Sequence, residues 1–174
     1  SSTNLNQYIV YQSKQMQLKI EHIIKFSNTI RTHSLEAHAN GVASLAAEFA
    51  SAFGMGDWGK IMGLLHDKGK ERNSFQAYIK TLAGIENEWQ GEDKQHAYIG
   101  AIVCQDLYKA AGILLGYPIM GHHSGLDDFP NFNTKINAPM PNGVGKADVM
   151  PLGSPIAIKD GKDMHHLVRM LFSC

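Results

Sequence analysis

Cysteine, net charge and long apolar runs are all scarce in this chain, and each scarcity removes a class of protein. The two cysteines, Cys104 and Cys174, stand in apolar helical contexts without Cys-x-x-Cys spacing. That excludes a disulfide scaffold or a thiolate metal site and leaves buried thiols in a reducing compartment. Lys plus Arg and Asp plus Glu both number 16, which argues against a strongly basic, free-standing DNA binder. Bound cations would still add local positive charge for a polyanion. No apolar stretch approaches the roughly 18 residues of a membrane span and no signal-peptide pattern is read, so a soluble cytoplasmic protein without a membrane partner is expected. The absence of a Walker loop and of a GxSxG elbow removes P-loop enzymes and α/β-hydrolases.

What is present is helical periodicity and histidine. At 174 residues a single domain, 1–174, is expected, large enough to bury about two-thirds of its unfolded surface. Residues 1–33 are weakly patterned, with a strand-like run at Tyr8–Tyr11 and a helical piece around Leu18, Ile20, Ile23 and Ile24. Ser34 is a good N-cap for a helix whose stripe is Leu35, Val42, Leu45, Ala46, Phe49 and Phe53, with His38 on the same stripe and Gly54-Met-Gly56 as its stop. Asp57 is expected to cap a second helix from Trp58 to about Asp67, and Ser74 a third, Phe75 to Leu82. His96 heads a fourth, and the apolar run Ile113–Met120 is read as helix rather than strand. Residues 124–163 hold five of the six prolines, so a long functional loop or mobile segment is expected there. A last amphipathic helix runs from Met164 to Phe172.

His66-Asp67, in Gly63-Leu-Leu-His-Asp-Lys-Gly-Lys70, is the most informative pair. An imidazole beside a carboxylate at a helix end suits a divalent transition metal, and the carboxylate can bridge two ions. His38, His96 and the doublet His122-His123 fall where they can complete such a site. A buried histidine cluster without a shared cation is costly to desolvate and self-repelling when protonated, whereas a metal resolves both problems. Two ions clamped by Asp67 suit in-line hydrolysis of a phosphoester, and Lys70 is placed to meet a phosphate oxygen or developing negative charge. His33 is read as a surface residue, His165-His166 as a helix start with one side at most facing inward, and His22 as lacking a partner. Asp127 and Asp128 are candidates for bonding a ligand histidine from behind.

The segments His38-Ala-Asn-Gly-Val-Ala-Ser-Leu-Ala, Trp58 to Lys70, Phe75-Gln-Ala-Tyr78, His96-Ala-Tyr-Ile-Gly-Ala101 and Gly121-His-His-Ser-Gly-Leu126 resemble the HD nuclease domain of the CRISPR-associated helicase–nuclease of type I systems. Arg169-Met-Leu-Phe-Ser-Cys174 extends the likeness, which covers roughly residues 34–128 and the last helix; nothing aligns over 129–163. The resemblance implies an all-α HD-domain bundle with a metal site between helices; the long Pro/Gly-rich loop expected before the last helix rests on composition. It implies a metal-dependent deoxyribonuclease of antiviral defence that degrades single-stranded DNA, partnered by a helicase in cis or trans and recruited by a guide-RNA surveillance complex. By the same resemblance His38, His66, Asp67 and a later Asp hold one ion, Asp67, His96, His122 and His123 hold the second, and Lys70 assists catalysis. That later Asp is expected beyond Cys174, so the domain is read as truncated there, with the helicase part absent. Manganese, nickel, cobalt or iron are favoured by the histidine-rich donors, with magnesium as a further candidate. The alternative is an HD phosphohydrolase acting on nucleotides or cyclic dinucleotides, which would need a closed, base-specific pocket instead of an open groove.

Overall fold

A computed structural model describes residues 19–26, 29–155 and 159–174. The strand-like run Tyr8–Tyr11 and Leu18 lie outside the described residues. Two strands, β1 (Ile20–Phe26) and β2 (Thr29–Ser34), form an antiparallel hairpin. They are followed by α1 (Leu35–Ser51), α2 (Gly56–Leu65), a 3-10 turn (Lys68–Glu71), α3 (Asn73–Leu82), α4 (Ala97–Tyr108), α5 (Ala110–Gly121), α6 (Phe129–Ile136) and α7 (Gly161–Phe172). The protein is mostly helical, with the hairpin as the one sheet among the described residues. The helix expected around Ile20–Ile24 is a strand instead: its β-branched residues favour extended backbone, and Gln76 on α3 anchors it. The Gln76 side chain accepts from Ile20 N and donates to Ile20 O, both at 2.8 Å.

Ser34 caps α1 through its side-chain oxygen, which accepts from Ala37 N at 3.1 Å. The buried face of α1 keeps Leu35 and Ala46 of the expected stripe but not its Leu45 and Phe49. Leu35, Ala43, Ala46 and Ala50 are buried, while Leu45 and Phe49 are 56% and 55% exposed. The cause lies on α2. A Cβ on Gly63 would sit 2.4 Å from Ala43 Cα, and one on Gly59 would sit 2.2 Å from Ala46 O. The two helices touch backbone to backbone, so the alanine face of α1 turns inward and Leu45 and Phe49 turn out. Asp57 lies in the first turn of α2, whose N-cap is Met55, and α3 begins at Asn73 after Arg72.

The main core lies between α2, α4, α5 and α7, built from Trp58, Ile61, Leu65, Val103, Leu115, Ile119, Leu167 and Leu171. Cys104 is buried in it and Cys174 donates its Sγ proton to Met170 O; both thiols are free. Burial pushes both thiols up from their ordinary pKa. No helix among the described residues is long and apolar enough to cross a membrane.

The Pro-rich segment departs from the loop expected over 124–163. Asp128 caps α6 by accepting from Asn131 N at 2.8 Å, and Pro130 sits in its first turn. A proline is tolerated there because that N–H has no intrahelical partner to lose. Phe132 and Ile136 are buried against Ala101 and Met120. Farther on, Trp58 Nε1 donates to Gly153 O at 3.0 Å, and Tyr108 Oη accepts from Met150 N at 3.0 Å. Residues 144–152 thereby form a strap over the main core.

The α1–α2 contact generates a paired prediction. Gly63→Ala is expected to lose about 1–3 kcal/mol through overpacking. Gly41→Ala, on the open face of α1 where a Cβ meets nothing within 4 Å, is expected to gain about 0.5–1 kcal/mol from reduced chain entropy. Urea unfolding of the two variants measures both; equal effects would refute the backbone-contact account.

Candidate metal centre

Four segments bring the candidate ligands to one place. His38 lies on the first turns of α1, His66-Asp67 ends α2, His96 is the N-cap of α4, and His122-His123 follow α5. Asp67 is 3% exposed and stands at the centre. Its Oδ2 lies 2.8 Å from His66 Nε2 and 3.4 Å from His38 Nε2, and these two nitrogens are 3.2 Å apart. Its Oδ1 lies 3.2 Å from His96 Nε2 and 3.4 Å from His122 Nε2, with His96 Nε2 2.8 Å from His123 Nε2. Each carboxylate oxygen thus serves a different histidine group. All six expected metal-ligating residues fall into two sets, His38–His66–Asp67 and Asp67–His96–His122–His123, each close enough to hold a metal ion.

The spacing fits ligation. Donors about 2.1 Å from an ion stand roughly 3.0–3.4 Å from one another in octahedral or tetrahedral geometry; the contacts given above run from 2.8 to 3.4 Å, and every donor of a set lies within 4.8 Å of the others. The ring orientations fit as well. His66 Nδ1 lies 2.8 Å from Gly63 O and His122 Nδ1 2.6 Å from Ile119 O. A carbonyl can only accept, so each Nδ1 carries the proton, which leaves Nε2 available to a cation. Asp67 Oδ1 and His122 Nε2 are buried without a hydrogen-bond partner, the condition of donors arranged for a cation rather than for one another.

The electrostatics follow from this convergence. Burial pushes the Asp67 carboxyl up, but the imidazoles of His122, His66 and His96 outweigh it and hold it far below the usual carboxylate range. Burial also lowers the proton affinity of His66, yet the Asp67 carboxylate against it leaves its pKa raised. His38 and His123 are lowered, chiefly by burial, with a further contribution from neighbouring histidines.

Lys70 is buried, and its Nζ donates to Glu21 Oε1 at 2.5 Å and to Asp67 Oδ2 at 3.0 Å. It is therefore no solvated helix-end lysine but part of the centre. Gly69 in the same turn meets the backbone of His96: a Cβ there would lie 2.5 Å from His96 O. Arg72, buried beside it, donates Nη2 to Gln95 O at 2.5 Å and to Asp93 O at 3.2 Å. These contacts hold the residues before α4 and so place His96.

Several side chains differ from the sequence reading. His33 is exposed, but its ring lies 5.7 Å from those of His22 and His38, so both hairpin histidines border the centre. Asp127 bonds Asn131 and pairs with Lys135 at 2.9 Å, and Asp128 caps α6. Neither is hydrogen-bonded to a ligand histidine, because the helix they start claims both carboxylates. His165 and His166 are exposed on α7. Glu21, Arg72 and Gln76 were missed as participants. Only Gln76 carried a signal, through its place in Phe75-Gln-Ala-Tyr78.

A groove of about 460 Å³ adjoins the second histidine group, lined by Lys94, Lys135, Phe75, Tyr78, Tyr98 and His123 among others. Lys94 Nζ stands 4.7 Å from the Tyr78 ring centroid. A cleft of about 570 Å³ of mixed charge borders Asp67 and includes Lys19, Lys68 and Lys146 with Glu36 and Asp148. No family model and no curated protein matches this chain.

Two metal-content measurements test the geometry. His122→Ala is expected to lower bound metal in elemental analysis, and an unchanged stoichiometry would remove the doublet from the centre. Ligating histidines must be deprotonated, so metal is expected to be retained at neutral pH and released on acidification.

Proposed function

We propose that this chain is a metal-dependent nuclease domain of the HD type, acting on single-stranded DNA. The observation that carries the reading is the division of the Asp67 carboxylate, with one oxygen toward His38 and His66 and the other toward His96 and His122. A carboxylate bridging two divalent ions is the arrangement used for in-line phosphoester hydrolysis, in which the ions supply Lewis acidity and an activated water. The residues of this chain have separable tasks in that reading. His66 and His122, oriented by the carbonyls of Gly63 and Ile119, keep Nε2 pointed at the centre. Lys70 offers a positive charge to the phosphate or the developing oxyanion.

The adjoining groove favours a strand over a free nucleotide. It combines Lys94 and Lys135, the latter paired with Asp127, with the partly exposed rings of Tyr78 and Tyr98, the pairing of backbone attraction and base stacking that holds single strands without sequence preference. The wider reading, a role in CRISPR interference with a helicase and a guide-RNA surveillance complex as partners, rests on the resemblance alone. Manganese, nickel, cobalt or iron are the proposed ions, since five of the six ligands are imidazoles.

The deciding assay incubates metal-stripped protein with circular single-stranded DNA and, separately, with deoxynucleotides, adding manganese, nickel or magnesium. Cutting of the circle is expected with manganese or nickel and is expected to fall to background in Asp67→Ala, whose helical circular dichroism should be unchanged. Hydrolysis of nucleotides alone would replace this reading with the nucleotide phosphohydrolase. Full cleavage by Asp67→Ala would sink the bridged two-ion mechanism.

A further inference from the structure

Glu21 is an unusual residue for a surface hairpin. It is 5% exposed, whereas His22 beside it is exposed, and it is the extra residue where the β1–β2 register slips between Ile20 and His22. A bulge of this kind re-aims a side chain, and here the carboxylate is buried at the centre rather than in solvent. Gln76 fixes the bulge, since its amide bonds Ile20 on both sides and also donates to Lys70 O at 2.8 Å.

The Glu21 carboxylate is only half used. Its Oε1 accepts from Lys70 and lies 3.7 Å from His22 Nδ1 and 3.9 Å from His38 Nε2. Its Oε2 is buried with no hydrogen-bond partner. An uncompensated carboxylate oxygen away from water is costly, and the nearby histidine group has three donors, His38, His66 and Asp67, one fewer than a closed tetrahedral set.

We propose that Glu21 is a carboxylate ligand of the ion held by His38, His66 and Asp67, with Lys70 holding one of its oxygens and the other left for the metal. Glu21 Oε1, the oxygen held by Lys70, lies 3.9 Å from His38 Nε2, against 3.4 Å between His38 and Asp67; the carboxylate borders the three-donor group without belonging to it as placed, so ligation through Oε2 requires the side chain to turn toward the ion. Lys70 then has a second task, joining Glu21 and Asp67 across the group so that both carboxylates stay ionised beside each other. This assignment rests on the metal-centre reading above but concerns a donor that the resemblance does not assign.

Titration of apo protein with Mn2+, followed by calorimetry, and with Co2+, followed by its visible spectrum, tests it. Wild type is expected to bind two ions. Glu21→Gln, which keeps shape and hydrogen bonding but loses the charge, is expected to weaken one ion at least tenfold and leave the other unchanged. The same loss is expected when Glu21→Gln is added to Lys70→Met, because the glutamate acts on the ion directly. A Glu21→Gln effect that vanishes in the Lys70→Met background would make Glu21 a positioning residue for Lys70 and overturn ligation. Should that double variant fail to fold, the Co2+ spectrum of Glu21→Gln decides: altered bands support a changed donor set, and unaltered bands refute it. Two ions bound with wild-type affinity in Glu21→Gln would overturn this proposal alone, whereas no ion bound by wild type would overturn the metal-centre reading with it.

Discussion

The buried carboxylate of Asp67 is the constraint around which the rest of the centre is arranged. A carboxylate this far from water persists as an anion only if positive or hydrogen-bonding groups surround it. The chain supplies four imidazole nitrogens within 3.4 Å and one ammonium at 3.0 Å. Those groups come from α1, α2, α4, the end of α5 and the 3-10 turn. Satisfying one side chain therefore ties together most of the helical framework, and any element that drifts leaves a buried charge exposed to a deficit.

Small residues make that convergence sterically feasible. Gly59 and Gly63 let α2 lie directly on the alanine face of α1, which carries His38 to within 3.2 Å of His66. Gly69 does the same between the 3-10 turn and His96, with Arg72 holding the segment from the other side through the carbonyls of Asp93 and Gln95. Overpacking at either place would act on the centre at a distance, because rigid helices transmit the displacement to their ends. The hairpin is added to this frame by Gln76, which explains why a buried glutamate reaches the site from an otherwise polar region.

Much of the centre is legible in the chain because its chemistry is carried by residue type. Histidines at 38, 66, 96, 122 and 123 beside Asp67 point to ligation, and the structure groups all of them. The helix starts at Ser34 and His96, and the helix through Ile113–Met120, are likewise readable from caps and apolar content. Other features were hidden. The exposure of Leu45 and Phe49 follows from a glycine pair on another helix, and the helix Phe129–Ile136 was masked by a proline that is harmless in a first turn. The participation of Glu21 depends on a register slip that no local pattern announces.

By itself, then, the sequence determined which side chains are available for the centre and that helices would present most of them. Those properties belong to single residues and to short-range periodicity. Only the tertiary structure decided which face of α1 is buried, which oxygen of Asp67 meets which histidine, and that Lys70 is locked between Asp67 and Glu21. These are distances between segments up to 55 residues apart in the chain, as with Asp67 and His122. Backbone contact, burial and the cost of an unpaired charge set them, and none of these is a property of any one stretch of sequence.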